Sequence, residues 1–291
     1  MHLVGRSWPY VPPAQRTLED AVDHVLEAAS IALKCMARGR LVYLALTGGV
    51  DSRTVLAVAL NAGVDLETYT YGNDKKTGLD QSVASEIAKI AGVKHATISQ
   101  QVRDDATNTH LECSHFAPHH AKWVPALQRH YGNPSALAMT GNLLEIGGGN
   151  FGPARRAGVK PPISAESMAA LHLRKAGAAL RGKMGERHRA EHSSAFAHFI
   201  EETGYRYSVG RLDPFDQFYW EHRMSTWHGP AMNERDFYGE AFIPFNSREI
   251  FESMLGLPRP LRASNELLYA LIRRVNSDLL KIPVNPSKWP L

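Results

Sequence analysis

Apolar residues along this chain recur with two periods, and the places where one gives way to the other outline its elements. Residues 17–39, TLEDAVDHVLEAASIALKCMARG, set Val22, Val25, Leu26 and Ala29 on one helical face. Thr17 with Asp20 three positions on forms a near capping box, aspartate standing for the usual Glu or Gln. Short β-rich apolar runs follow at 41–46 (LVYLAL), 66–72 (LETYTYG), 94–99 (KHATIS) and 135–140 (SALAMT). Between the first three lie the helical patterns SRTVLAVALNAG and DQSVASEIAKIAG, each closed by a glycine suited to a left-handed terminal residue. Buried strands alternating with helices predict an α/β fold, a parallel sheet covered by helices. After about residue 150, the passage GGGNFGPARRAGVKPP gives way to helical patterns at 164–182, 186–203, 213–227, 246–255 and 264–280. Residues 1–150 therefore read as an α/β core, and residues 151–291 as a mostly helical lobe packed on that same core.

Composition narrows the class. At 291 residues and 44% hydrophobic content, the chain can bury a core of ordinary size. It has no apolar run of membrane-spanning length, and its start, MHLVGRSWPYVPP, lacks a signal-peptide core, so the expectation is a soluble, cytoplasmic protein with no membrane partner. Cys35 and Cys113 form no CxxC pair, which argues against a disulfide framework or a zinc ribbon. The net charge of +4 is mild but uneven. Arg155, Arg156, Lys160, Arg174, Lys175, Arg181, Lys183, Arg187 and Arg189 face only Glu166 and Glu186 in that stretch.

The stretch LALTGGVDSRTVLAVAL (44–60) carries the candidate chemistry. A buried strand ends at Thr47, and Gly48 and Gly49 let the backbone turn and approach a ligand before a helix begins near Asp51 and Ser52. The first turn of that helix offers free N–H groups and the positive end of the helix dipole to an anion. Thr47 and Ser52 can add hydroxyl donors, and Asp51 can hold a magnesium ion. A structural turn in which Asp51 only caps the helix is the alternative. No Walker pattern occurs, and GGGNFG (147–152) is followed by Pro153 and a basic loop, so it fails the context of a dinucleotide-binding turn.

LTGGVDSR resembles the SGGxDS pyrophosphate loop of the N-type ATP pyrophosphatases, the PP-loop superfamily, with Thr47 in place of the first serine. Within it, the chain is most similar to the synthetase domain of class B asparagine synthetases, β-lactam synthetases and lasso-peptide cyclases. YGNDKKTGLDQSVASEIAKIAGVKH, MTGNLLEIGGGNFG, FYWEHRMSTWHG and AFIPFNSREIFESMLGLP resemble later elements of that domain in order, so the likeness runs from about residue 40 to the C-terminus. It implies a Rossmann-like parallel sheet of the adenine nucleotide α-hydrolase type, ATP and Mg2+ as cofactors, and adenylation of a carboxylate with release of pyrophosphate. Ammonia or an amine then takes the acyl group. On the residues, the resemblance puts the β- and γ-phosphates at Thr47, Gly48, Gly49, Asp51 and Ser52, the nucleoside near Leu46, Tyr71 and Gly72, and magnesium between Asp51 and Glu145. Gly141 would approach the α-phosphate or substrate, and Asp80 is a site aspartate or a helix N-cap. A late lysine, Lys288 in preference to Lys281, would stabilise the tetrahedral intermediate.

Two departures stand out. No glutaminase with an amino-terminal cysteine is expected ahead of the domain, so the nitrogen would come from free ammonia, an amine, or a separate glutaminase or carrier partner. Asn142 stands where an acid often serves the reaction; it can bind but cannot act as a general base. Arg53, His119, His120 and Arg223 are candidate substrate-pocket residues for a small-molecule or peptide carboxylate. HLECSHFAPHHAKW reads as a pocket wall in preference to a metal site. Phe215, Phe218, Tyr219 and His222 read as one packed side of a helix. Two other functions remain open. The basic run fits a PP-loop enzyme acting on transfer RNA, although no aromatic-basic RNA motif accompanies it and nucleic acid is not the expected partner. Asn142 and the missing glutaminase fit a non-catalytic nucleotide-binding subunit.

Overall fold

A computed structural model describes residues 14–73, 75–99, 102, 104–114, 123–148, 163–173, 182–203, 205 and 213–287. Helix α1 (Leu18–Ala37) begins as its capping pattern requires: the Thr17 hydroxyl accepts from the Asp20 backbone N–H at 3.1 Å and donates to the Asp20 carboxylate at 2.6 Å. Helices α2 (Val50–Ala62) and α3 (Lys75–Ala91) end on Gly63 and Gly92, both left-handed at φ +64° and +69°.

Strands β1 (Val42–Ala45), β2 (Glu67–Tyr71), β3 (Lys94–Ile98), β4 (Leu137–Met139) and β5 (Glu240–Phe242) form one parallel sheet in the order β3-β2-β1-β4-β5. The fold is Rossmann-like. The chain winds outward from β1 to β3, then returns to the other side of β1, so the crevice at the ends of β1 and β4 is the topological switch point where such sheets bind ligands. Period-two alternation splits the strands between two apolar layers. Val42, Leu44, Leu46, Leu137 and Met139 face the main core with α1, α2 and α3. Tyr43, Tyr69, Ala136 and Ala138 face a smaller, aromatic core with Trp123, Leu127, Tyr131 and Tyr238.

Several elements differ from the expectation. β5 is only three residues and half exposed, too short to show a period. Helix α4 (Asp105–Ser114) occupies the start of the histidine-rich segment, so His110 and Cys113 lie on a helix; His115, His119 and His120 lie outside the described residues. Helix α5 (Val124–Tyr131) was not foreseen either, and it carries Tyr131 into the aromatic core at 4.0 Å between ring centroids from Tyr43. The later chain is helical over Ala165–Leu173, Gly182–Thr203, Pro214–Phe218, Arg248–Leu255, Arg259–Ala263 and Glu266–Asn276. It also supplies β5 to the sheet, and Leu267, Leu271 and Ile272 join the main core against α1 and α2.

After Phe218 the helix runs on as a π-helical stretch, Tyr219–His228. This shift of register divides the aromatic face expected there. Phe215 and Phe218 pack with Phe196 and Tyr205 in a small separate core, His222 stacks on Phe218 at 5.1 Å, and Tyr219 turns to the main core. Arg155, Arg156, Lys160, Arg174, Lys175 and Arg181 of the basic run lie outside the described residues; Arg187 pairs at the surface with Glu191 at 2.7 Å. Among the described residues no helix is long and apolar enough to cross a membrane.

Candidate active site

The turn after β1 is built by its own sequence. Gly49 occupies the N-cap position of α2 with no side-chain cap, so Asp51 is in the first turn and does not cap the helix. The Ser52 hydroxyl accepts from the Thr47 N–H at 3.1 Å and lies 3.2 Å from the Thr47 hydroxyl, which in turn accepts from the Gly49 N–H at 3.2 Å. These bonds gather two hydroxyls and the helix N-terminus around one point, as an anion requires. Asp80 is well inside α3 and is not an N-cap; its carboxylate accepts the Gly48 N–H at 3.1 Å.

The turn after β4 is built differently. Leu143 takes a left-handed φ of +74°, a conformation that costs a non-glycine residue energy and is found where surrounding structure imposes it. It aims the following 3-10 turn (Leu144–Gly147), and with it Glu145, toward the first turn of α2. Gly141 is where the two turns touch: a Cβ there would stand 2.8 Å from the Asp51 carbonyl carbon. Its missing side chain admits the α2 backbone, and Gly141 also lines the cavity. Asn142 lines it too, its amide oxygen accepting the Thr140 hydroxyl.

Between the turns lies a cavity of about 310 Å³, also lined by Leu46, Tyr71, Thr77 and Asp80. Burial pushes the Asp51 carboxyl up to about 6. Glu145 is pushed up to about 7, by burial first and then by the charge of Asp51. Two carboxyls whose proton affinity burial raises, that of Glu145 further raised by Asp51, form a negative centre suited to a divalent cation. Among the described residues no group of three His, Cys, Asp or Glu gathers to hold a metal. Magnesium is commonly held by one or two carboxylates plus phosphate and water, so the donor set fits that ion alongside a polyphosphate.

Other expected residues lie elsewhere. Lys281 is 70% exposed and paired with Asp278 at 3.0 Å, away from the cavity; Lys288 is outside the described residues. Arg53 is no pocket residue. It is fully buried, and its guanidinium donates to the carbonyls of Gly48, Leu279, Ile282 and Pro283, clasping the C-terminal segment to the phosphate turn. The same segment reaches that turn through the Asn285 N–H, 2.8 Å from the Gly48 carbonyl. Gly72 ties β2 to β3 through its N–H, 3.1 Å from the Ile98 carbonyl, while Tyr71 faces the cavity. Arg223 lies 4.5 Å from the Trp227 ring centre, where its charge favours the ionised form of Glu145. Arg235, beside Tyr69 on the cavity wall, was missed: an arginine two residues after an asparagine carries no motif, and only the fold brings it there.

A Rossmann-like sheet with a glycine turn and paired carboxylates at its switch point defines a nucleotide-binding class. Residues 21–123 match the family described as asparagine synthase, roughly a third of the chain, from α1 through the phosphate turn to Trp123. That segment is similar to this family, and the turn bearing Glu145 falls beyond the matched residues. Among solved structures, an NMN synthetase from Francisella tularensis is similar over 45% of this chain and 58% of its own, at 18% identity and a TM-score of 0.32. The chain thus spans less than two thirds of that structure, and a superposition so weak carries no argument. No curated protein matches the chain.

Proposed function

We propose that this chain is an ATP-dependent amide-forming ligase. An oxygen of the acid substrate attacks the α-phosphorus of ATP, the bond to the bridging oxygen breaks, and pyrophosphate leaves. Ammonia or an amine then attacks the acyl carbon; the bond to AMP breaks, and the amine loses a proton. The observation that carries this reading is the pair Asp51 and Glu145, held by turns after adjacent central strands and facing the phosphate turn. A bound magnesium ion would neutralise the departing pyrophosphate. Thr47, Ser52 and the α2 N-terminus would hold its oxygens in a preorganised array. Asn142 offers no base, so the nucleophile must arrive unprotonated or lose its proton to solvent. The acid is a small molecule or peptide, and the nitrogen comes from solution or from a separate glutaminase or carrier partner; the setting is the cytoplasm. The test is incubation with ATP, Mg2+, ammonium and a panel of acids. Pyrophosphate and AMP released together with an acid support the reading, and absence of both with every acid removes it.

A further inference from the structure

Among the described residues, two large apolar side chains stand out in solvent, Ile31 at 55% exposed and Leu41 at 56%. Ile31 is on the outer face of α1, and Leu41 follows that helix at the entry to β1. Glu27, Ile31, Lys34 and Arg38 succeed one another at four, three and four positions, all exposed, which is the spacing of a seam along which one helix packs on another. Beside the seam a groove of about 350 Å³ lies between α1 and α2, where the Asn61 amide donates to the Ser30 hydroxyl at 3.0 Å.

The charges on this seam are segregated. Asp20, Asp23 and Glu27 occupy its first half, Lys34 and Arg38 its second. A helix dipole favours that order only in the terminal turns, and Glu27 lies mid-helix. Among the described residues Glu27, Lys34 and Arg38 make no ion pair, while Asp23 is held by Arg274 at 2.6 Å. Positions 27 and 34 are equidistant from the point between Ser30 and Ile31, and so are 23 and 38. A face with that symmetry is complementary to itself: turned end over end about a two-fold axis at that point, it sets each acid against a base.

We propose that a second copy of this chain docks on α1, antiparallel, with Glu27 of each copy against Lys34 of the other. Ile31 of each copy then enters the α1–α2 groove of the other, and Asp23, already shared with Arg274, adds a weaker contact to Arg38. The seam ends where β1 begins, whereas the candidate active site opens where β1 ends, so pairing leaves both cavities accessible. One helix face is smaller than the roughly 800 Å² per partner of a standard interface, so the association is reversible.

The test is sedimentation equilibrium of the full chain at low salt, where a dimer should form with a Kd on the order of tens of micromolar. Raising NaCl from about 0.05 to about 0.5 M should weaken it about tenfold, since exposed charges are screened. Glu27→Lys and Lys34→Glu should each leave a monomer, because each brings like charges together across the axis. Mixed in equal amounts, the two variants should pair with one another, and a chain carrying both substitutions should pair with itself. A variant that had merely misfolded would not be rescued in this way. A monomer at every concentration overturns the proposal and gives the face to residues 1–13 or to a different protein. A dimer indifferent to Glu27→Lys overturns it too, as does a mixture of the two variants that stays monomeric.

Discussion

The turns after β1 and β4 do the same work by different means. Each ends a central strand, each presents one carboxylate to the shared cavity, and each has a carbonyl held by a buried arginine: Gly48 by Arg53, Gly147 by Arg262. The first is made by adjacent residues, glycines and hydroxyls that shape the turn within six positions. The second contains a left-handed leucine, and the arginine beneath it is paired with Asp216, far away in sequence. A site can thus be local on one side and wholly tertiary on the other, and the tertiary side should be the more fragile.

The largest effect should come from removing either carboxylate. Asp51→Asn and Glu145→Gln should each lower acid-dependent pyrophosphate release by about a thousandfold, since each removes half of the cation's protein ligands. In EDTA at pH 7, both variants should melt above wild type, because each deletes a buried charge whose carboxyl is already pushed toward neutrality. Magnesium-dependent turnover surviving in Asp51→Asn would reduce the first turn to a structural one.

Next come the two arginines. Arg262→Met removes the ion pair to the buried Asp216 carboxylate and releases the carbonyls of Gly147 and Gly148, so it should cost about 3–5 kcal/mol in denaturant unfolding. Adding Asp216→Leu should recover most of that stability while the weakened magnesium dependence persists. Arg53→Met should also destabilise, and hydrogen exchange should show faster opening of residues 279–286, which this guanidinium holds. If Arg262→Met weakened nucleotide binding no more than Arg53→Met, the contrast between a local and a tertiary turn would fail.

Gly141→Ala tests the point where the turns meet. Its new methyl would press on the Asp51 carbonyl, so unfolding free energy should drop by about 1–3 kcal/mol, with turnover falling through displacement of Asp51 and Glu145 relative to one another. Unchanged turnover would mean that the two carboxylates need no fixed spacing.

What could be read from the sequence follows the same division. The first four strands, α1 with its cap, the glycine ends of α2 and α3, and the Thr47 to Ser52 turn all rest on neighbours in the chain, so periodicity and turn chemistry reach them. Glu145 was found only through a family resemblance, because nothing within the turn requires its left-handed Leu143. Arg53 was misread for an instructive reason: a charged residue beside a phosphate turn suggests a ligand contact, yet four carbonyls, three of them over two hundred residues away, accept from its two terminal nitrogens. Arg235 went unnoticed because β5, which follows it, is too short to show a pattern. The π-helical register of 219–228 was illegible as well, since apolar spacing assumed 3.6 residues per turn.

The smallest expected effect concerns that π-helical support of the second turn. His222 packs among Phe196, Phe199 and Phe218, with His172 facing it from the helix at 165–173 and Arg223 beside it. Burial first, then the charges of His172 and Arg223, push its pKa down to about 4. An unfolded histidine titrates near 6.5. As pH falls between about 6.5 and 4, the unfolded chain therefore takes up a proton that the folded one refuses, and stability declines across that window; above it, His222 makes no difference. His222→Phe should flatten the decline in melting temperature from pH 6.5 to 4, leaving a smaller slope from His172, whose pKa burial also lowers. His222 does not line the cavity, so magnesium affinity at pH 7 should stay unchanged in the variant. An unaltered acid slope would mean that His222 is already protonated in the folded protein and that the π-helical packing tolerates its charge.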